Sequence, residues 1–155
     1  MTQVPTNVAE QLPPPGVAVL VHPTNIAENW AALEGLFHSL SPWTQLLPAD
    51  ELRAPLTNGT LRLFAVRDLL GNIFVAMAAL FTGTTQTCAT WLLVGPEAPE
   101  SIASALVDEV EVFARQQGCC ALSINIFPAM VGRIPGQVTA LVIERDLRQR
   151  RERMN

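Results

Sequence analysis

The chain contains neither lysine nor tyrosine: every one of its basic side chains is an arginine, and no phenol is present to act as an acid. Charge of either sign is scarce. Charged residues make up 15% of the chain, against a usual quarter, while hydrophobic residues reach 49%. A soluble monomer ordinarily spreads more charge than this over its surface, so the composition predicts an oligomer, or a subunit partly covered by other protein chains. The three cysteines, Cys88, Cys119 and Cys120, offer no C-x-x-C and no metal-ligand spacing. They read as buried thiols in a reducing compartment. Long hydrophobic runs are also missing. The most apolar stretch, residues 73–81, is far short of a membrane span, and no basic region followed by an apolar core opens the chain. A soluble, cytoplasmically made protein with no membrane partner is expected.

The net charge of −4 conceals an asymmetry. Arg148, Arg150, Arg151 and Arg153 crowd the last eight residues, which leaves the body more acidic than the total. An acidic body with a basic end is not a nucleic-acid-binding domain as a whole. At 155 residues the chain is long enough for one core. Residues 1–16, with Pro5 and the run Pro13, Pro14 and Pro15, carry few large apolar groups and read as an extended arm. Residues 17–147 form the domain, and residues 148–155 an arginine-rich tail.

Within the domain, residues 87–128 form the stretch with the most clearly marked boundaries. Pro99 suits the first turn of a helix because its missing N–H would be unpaired there, and Gly118 suits the end. Between them Ile102, Leu106, Val110 and Phe113 recur every three or four residues, with Glu100, Ser104, Asp108, Glu111 and Arg115 opposite. Such a helix between two apolar segments is a β-α-β crossover, so residues 91–94 and 121–127 should run parallel, both well inside the fold. Upstream, residues 17–21 read as a strand. Thr24 or Asn25 then caps a helix, with Glu28 placed for a capping box and Ile26, Trp30, Leu33, Phe37 and Leu40 as its apolar stripe. Residues 43–48 read as loop. Residues 50–56 make at most a short helix, since Pro55 would break a longer one. Residues 61–68 and 73–82 form a hairpin around Gly71 and Asn72, the second strand apolar on both faces and therefore central. Residues 87–94 add a third antiparallel strand. Residues 128–136 are loop and residues 137–147 the last strand.

This order of elements resembles the GNAT superfamily of N-acetyltransferases over residues 17–147. The phrase VFARQQG at residues 112–118, running into residues 119–126, looks like that family's central helix and fifth strand. Together with IERDL at residues 143–147 it is similar to GNAT-like proteins of tailed bacteriophages. The resemblance implies an α/β fold with a mixed sheet, antiparallel strands plus a crossover. In the family, a Gln or Arg followed by x-x-Gly-x-Gly or Ala exposes backbone N–H groups at a helix N-terminus to the coenzyme A pyrophosphate. Here the matching stretch is Gly95, Pro96, Glu97, Ala98, Pro99, Glu100. Two prolines remove donors and two carboxylates stand where positive potential is needed. The tyrosine that often serves as the family's general acid is absent, and residues 128–136 are too short and too rich in breakers for its fourth helix.

Other candidates are single residues. Ser123, Asn125 and Glu144 are polar groups on or beside strands, read as satisfied within the sheet or at its surface rather than as acid or base. His22 and His38 stand alone. Cys119 and Cys120 follow a helix C-terminus, whose dipole disfavours a thiolate. Trp30 and Phe37 read as helix packing; Trp43, after Pro42, is a candidate interface anchor. The sequence thus points to a non-catalytic structural or assembly protein without cofactor or metal, a bacteriophage virion component. Its docking residues would be Pro13, Pro14, Pro15, Trp43, Arg148, Arg150, Arg151 and Arg153, set against other virion proteins, with DNA the less favoured partner. The alternative is an acyl-CoA-dependent N-acetyltransferase, cytoplasmic, with a degenerate coenzyme site.

Overall fold

The computed structural model describes residues 13–39, 49–94, 97–126, 134 and 136. The elements run β1 (Val19–Val21), α1 (Pro23–Glu28), α2 (Trp30–Ser39), α3 (Ala49–Asn58), β2 (Leu61–Arg67), β3 (Ile73–Thr82), β4 (Gln86–Leu92), α4 (Glu100–Gln116) and β5 (Ala121–Asn125). They form the expected α/β architecture around one mixed sheet of order β1-β2-β3-β4-β5. The first three pairings are antiparallel, and β4 pairs with β5 in parallel, in register from Thr87↔Ala121 to Trp91↔Asn125. The crossover and the hairpin are both borne out.

Alternation along the strands divides the interior into two layers. Phe64 and Val66 of β2, Ala76 and Ala78 of β3, and Cys88 and Leu92 of β4 face α4. Leu63 and Ala65, with Val75 and Met77, face α1, α2 and α3 instead. Central β3 is therefore apolar on both sides. The face of α4 buries Ile102, Leu106, Val110 and Phe113. Each large side chain buried contributes about 1.5–3 kcal/mol, against about 1 kcal/mol for a cap, so α4 tolerates an N-terminus at Pro99 with no side-chain cap. Pro99 is thus the N-cap, one position before its expected place. Gly118 ends the helix at φ +78, a left-handed conformation that glycine adopts without strain.

Several sequence expectations are corrected. Pro23 occupies the first helical turn, which moves the cap from Thr24 or Asn25 back to His22, whose Nδ1 accepts from the Thr24 N–H at 3.1 Å. The helical stripe Ile26, Trp30, Leu33 and Phe37 is buried as expected, but the helix bearing it breaks at Asn29. Pro55 does not shorten α3. Leu52 and Leu56 are buried on one side of that helix, and their packing carries it past the proline to Asn58 despite the missing donor. β1 starts at Val19 rather than Val17, because Gly16 turns the chain and donates its N–H to the Arg67 carbonyl at 2.9 Å. β4 ends at Leu92, two residues early, and β5 at Asn125. β5 is the outermost strand of the described sheet and alternates between exposed and half-buried, so it is not well inside the fold. Of the three cysteines only Cys88 is buried; Cys120 is exposed, because it precedes β5 at the sheet edge.

Candidate functional site

The parallel pair β4 and β5 leads toward the start of α4. Their pairing stops at Trp91↔Asn125, yet β4 goes on to Leu92, paired with Ala76, and the Leu93 N–H reaches the Val75 carbonyl at 3.1 Å. Beyond Trp91, then, β4 keeps β3 on one side and has no β5 partner among the described residues on the other. The N-terminus of α4 follows within a few residues. Its entry is fixed by Ala98, Ile102 and Ala103, all buried against the sheet, while Glu97, Glu100 and Ser101 are exposed.

Two side chains stand at the end of this pairing. Asn125 donates its Nδ2 to the Thr90 carbonyl at 3.0 Å, across the last paired positions of the two strands. Thr90 is 1% exposed, and its Oγ1 lies 3.9 Å from the Cys88 Sγ. Burial pushes the Cys88 thiol up, with only partial relief from Thr90, and Cys119 adds to the rise. Cys88 is therefore a protonated packing residue and not a nucleophile. Trp91 sits half-buried on the opposite face.

Where a sheet strand lacks a neighbour its backbone donors and acceptors can take an extended, amide-bearing ligand lying as a further strand would; here Leu92, Leu93 and Val94 are at most 3% exposed. A helix N-terminus behind it ordinarily favours a phosphate, through unpaired N–H groups and the dipole. Here the exposed Glu97 and Glu100 oppose that attraction. The exposed carboxylates at the helix end do not suit a coenzyme A pyrophosphate.

The residues singled out from the sequence are only partly assembled. Ser123 and Asn125 share one face of β5, and Asn125 is bonded within the sheet as expected. His22 is spent on capping α1, and exposed His38 lies in the last turn of α2. Exposed Cys120 donates its thiol to the Gln86 carbonyl at 3.5 Å. Pro13 is half-buried, and its carbonyl accepts from Arg67 Nε at 3.1 Å; Pro14 and Pro15 are exposed. Leu40, Trp43, Gly95, Pro96, Glu144, Arg148, Arg150, Arg151 and Arg153 lie outside the described residues, as do residues 1–12 and the last strand expected at 137–147. The end of the described β4–β5 pairing at Trp91 and Asn125, and Thr90 as the partner of the Asn125 side chain, were not anticipated. The one sequence signal for the tie was an amide inside an otherwise apolar strand. Among the described residues no helix is long and apolar enough to cross a membrane, and no cluster of metal ligands occurs.

No family model matches the sequence, and no curated protein sequence matches it. Solved structures do. A probable acetyltransferase superposes with a TM-score of 0.58 at 13% identity, covering 83% of this chain and 99% of that one. An acetyltransferase of Trypanosoma brucei gives 0.56 at 13% identity, covering 84% and 98%. A ribosomal-protein-alanine N-acetyltransferase of Brucella melitensis biovar Abortus gives 0.52 at 16% identity, covering 82% and 98%. At such identities the likeness is one of fold.

Proposed function

We propose, on the premise that this chain has the GNAT acetyltransferase fold, that it is an acyl-CoA-dependent N-acetyltransferase whose grip on the coenzyme has been weakened. The observation that carries the reading is the end of the described β4–β5 pairing at Trp91↔Asn125, a few residues before the start of α4. On this reading an extended thioester-bearing ligand takes main-chain hydrogen bonds there, which need no particular side chains. Glu97 and Glu100 make it a poor site for the pyrophosphate end.

Calorimetric titration with acetyl-CoA tests this, on the wild type and on a Glu97→Gln/Glu100→Gln variant. At about 7 Å in water, one charge pair is worth about 0.6 kcal/mol, and physiological salt cuts this by more than half. Two carboxylates against two phosphate charges then oppose binding by about 1 kcal/mol, so the variant should bind about fivefold more tightly. Absence of binding by both proteins at millimolar acetyl-CoA overturns the proposal.

A second reading is favoured by the same two carboxylates. In it the fold has lost coenzyme chemistry and serves as an assembly subunit, docking to neighbouring virion proteins through the proline arm and the arginine tail. It predicts no acetyl-CoA binding in either protein, and loss of assembly when Arg148, Arg150, Arg151 and Arg153 are replaced together.

A further inference from the structure

At the β2–β3 turn the chain places two leucines in water and holds them there. Leu69 is 91% exposed and Leu70 is 87% exposed. The turn beneath them is rigid. The Asp68 carboxylate accepts from the Leu70 N–H at 2.9 Å, from the Asn72 N–H at 2.8 Å and from Asn72 Nδ2 at 3.1 Å, while Gly71 takes φ +85. Two large apolar side chains fixed on a rigid tip form a knob that folding does not require.

Beside the knob is a hole. A cavity of about 120 Å³ opens between β1, α1 and the sheet, lined by Val19, Val21, Leu33, Leu63, Ile73 and Val75, with His22 and Asn25 among its polar residues. Ile73 is only two residues beyond Gly71. Apolar cavities of roughly 150 Å³ accept a benzene, so this one has room for the isobutyl group of a leucine. The same end of the sheet carries Val17, 49% exposed, and Leu20, 38% exposed. Its charges are one of each sign: half-buried Arg67, which makes no ion pair with another described residue, and Asp68.

We propose that a second copy of this chain docks at this end of the sheet about a two-fold axis, each copy seating its Leu69 and Leu70 tip in the other's cavity. A knob and a hole on one patch satisfy each other reciprocally only in an isologous dimer. The charges agree with that symmetry, since a two-fold axis brings Arg67 toward the partner's Asp68 and Asp68 toward the partner's Arg67. The occupant is therefore another copy rather than an unrelated apolar peptide, and the surface is neutral enough to self-associate despite the chain's net charge of −4.

The test is sedimentation equilibrium on the full chain over roughly 1 to 200 μM, with wild type and a Leu69→Asp/Leu70→Asp variant. Wild type is expected to dimerise, and the variant to dissociate at least about 100-fold more readily. Both side chains are solvent-exposed, so the variant should keep the wild-type melting temperature measured on the monomer. If the variant does not fold, amide exchange on the wild type decides: Val19, Leu20, Val21 and Ile73 should become more protected as concentration rises. A monomeric wild type, a dimer that survives the double substitution, or exchange at these positions that ignores concentration overturns the proposal. So does loss of the dimer on deleting residues 1–12, which would make that segment the occupant of the cavity.

Discussion

Replacing Asn125 separates a strand tie from a catalytic group. Its Nδ2 donates to the carbonyl of Thr90, a residue 1% exposed, across the last pair before β4 and β5 part. Asn125→Ala leaves that carbonyl without this donor. Loss of one such hydrogen bond costs about 0.5–1.5 kcal/mol net, and the burial of Thr90 selects the upper part of that range, about 1–1.5 kcal/mol. For a chain of this length each kcal/mol moves the melting temperature by about 2–4 °C, so Asn125→Ala should melt about 2–6 °C lower. Asn125→Asp should be worse at neutral pH, because it sets a carboxylate against a carbonyl oxygen. The introduced acid is then easier to protonate in the folded state than in the unfolded chain. Its destabilisation is fully present above the raised folded-state value and is relieved as pH falls toward the unfolded value near 4, since the protonated acid can donate to Thr90. Thermal melts of both variants between roughly pH 4 and 8 would show the two curves converging in acid. An Asn125→Asp protein as stable as Asn125→Ala at pH 7, or an Asn125→Ala protein unchanged in melting temperature, would refute the tie.

Phe113 is 6% exposed, meets Phe64 edge-on at 5.5 Å and lies 5.8 Å below the Arg62 guanidinium. Phe113→Ala should cost about 3–5 kcal/mol in urea unfolding, and Phe113→Leu markedly less, because leucine refills most of the space and loses mainly the ring contacts. Pro55→Ala should raise the melting temperature by about 2–4 °C, since the proline withholds one backbone donor inside α3 while Leu52 and Leu56 already hold the helix in place. At Asp68, partial burial pushes the carboxyl up, but donors from Asn72, Leu70 and Gly71 outweigh it and hold the group below the ordinary carboxylate range. Its contribution is fully present above the unfolded value near 3.8 and is lost as pH falls through the lower folded value, so Asp68→Ala should flatten the acid limb of a pH–stability curve.

The sequence was most legible where one periodic pattern had a single physical cause. Ile102, Leu106, Val110 and Phe113 all had to face one surface, and the apolar residues of β3 had to be central because they left no wet side. It was least legible where two causes competed. Pro55 carries a real backbone penalty, but the burial of Leu52 and Leu56 is worth more, and that comparison needs the neighbours that only folding supplies. Pro23 and Thr24 compete for the helix start in the same way. There the fixed backbone of proline wins, and His22 becomes the cap.

The candidate site divides along a similar line. Its unfavourable part is written in side chains, as Glu97 and Glu100, and was readable from the sequence. Under the acetyltransferase proposal its favourable part is written in the main chain, where the described β4–β5 pairing ends at Trp91 and Asn125. No residue type encodes that, since any sequence able to continue β4 past Trp91 while β5 stops at Asn125 would produce it. The side chains alone therefore speak against a coenzyme. On the proposed reading the main chain opposes them, and the balance is set by about 1 kcal/mol of screened charge. A site so balanced can be moved in either direction by replacing two exposed residues, which is why Glu97 and Glu100 are the positions at which the catalytic and the assembly readings come apart.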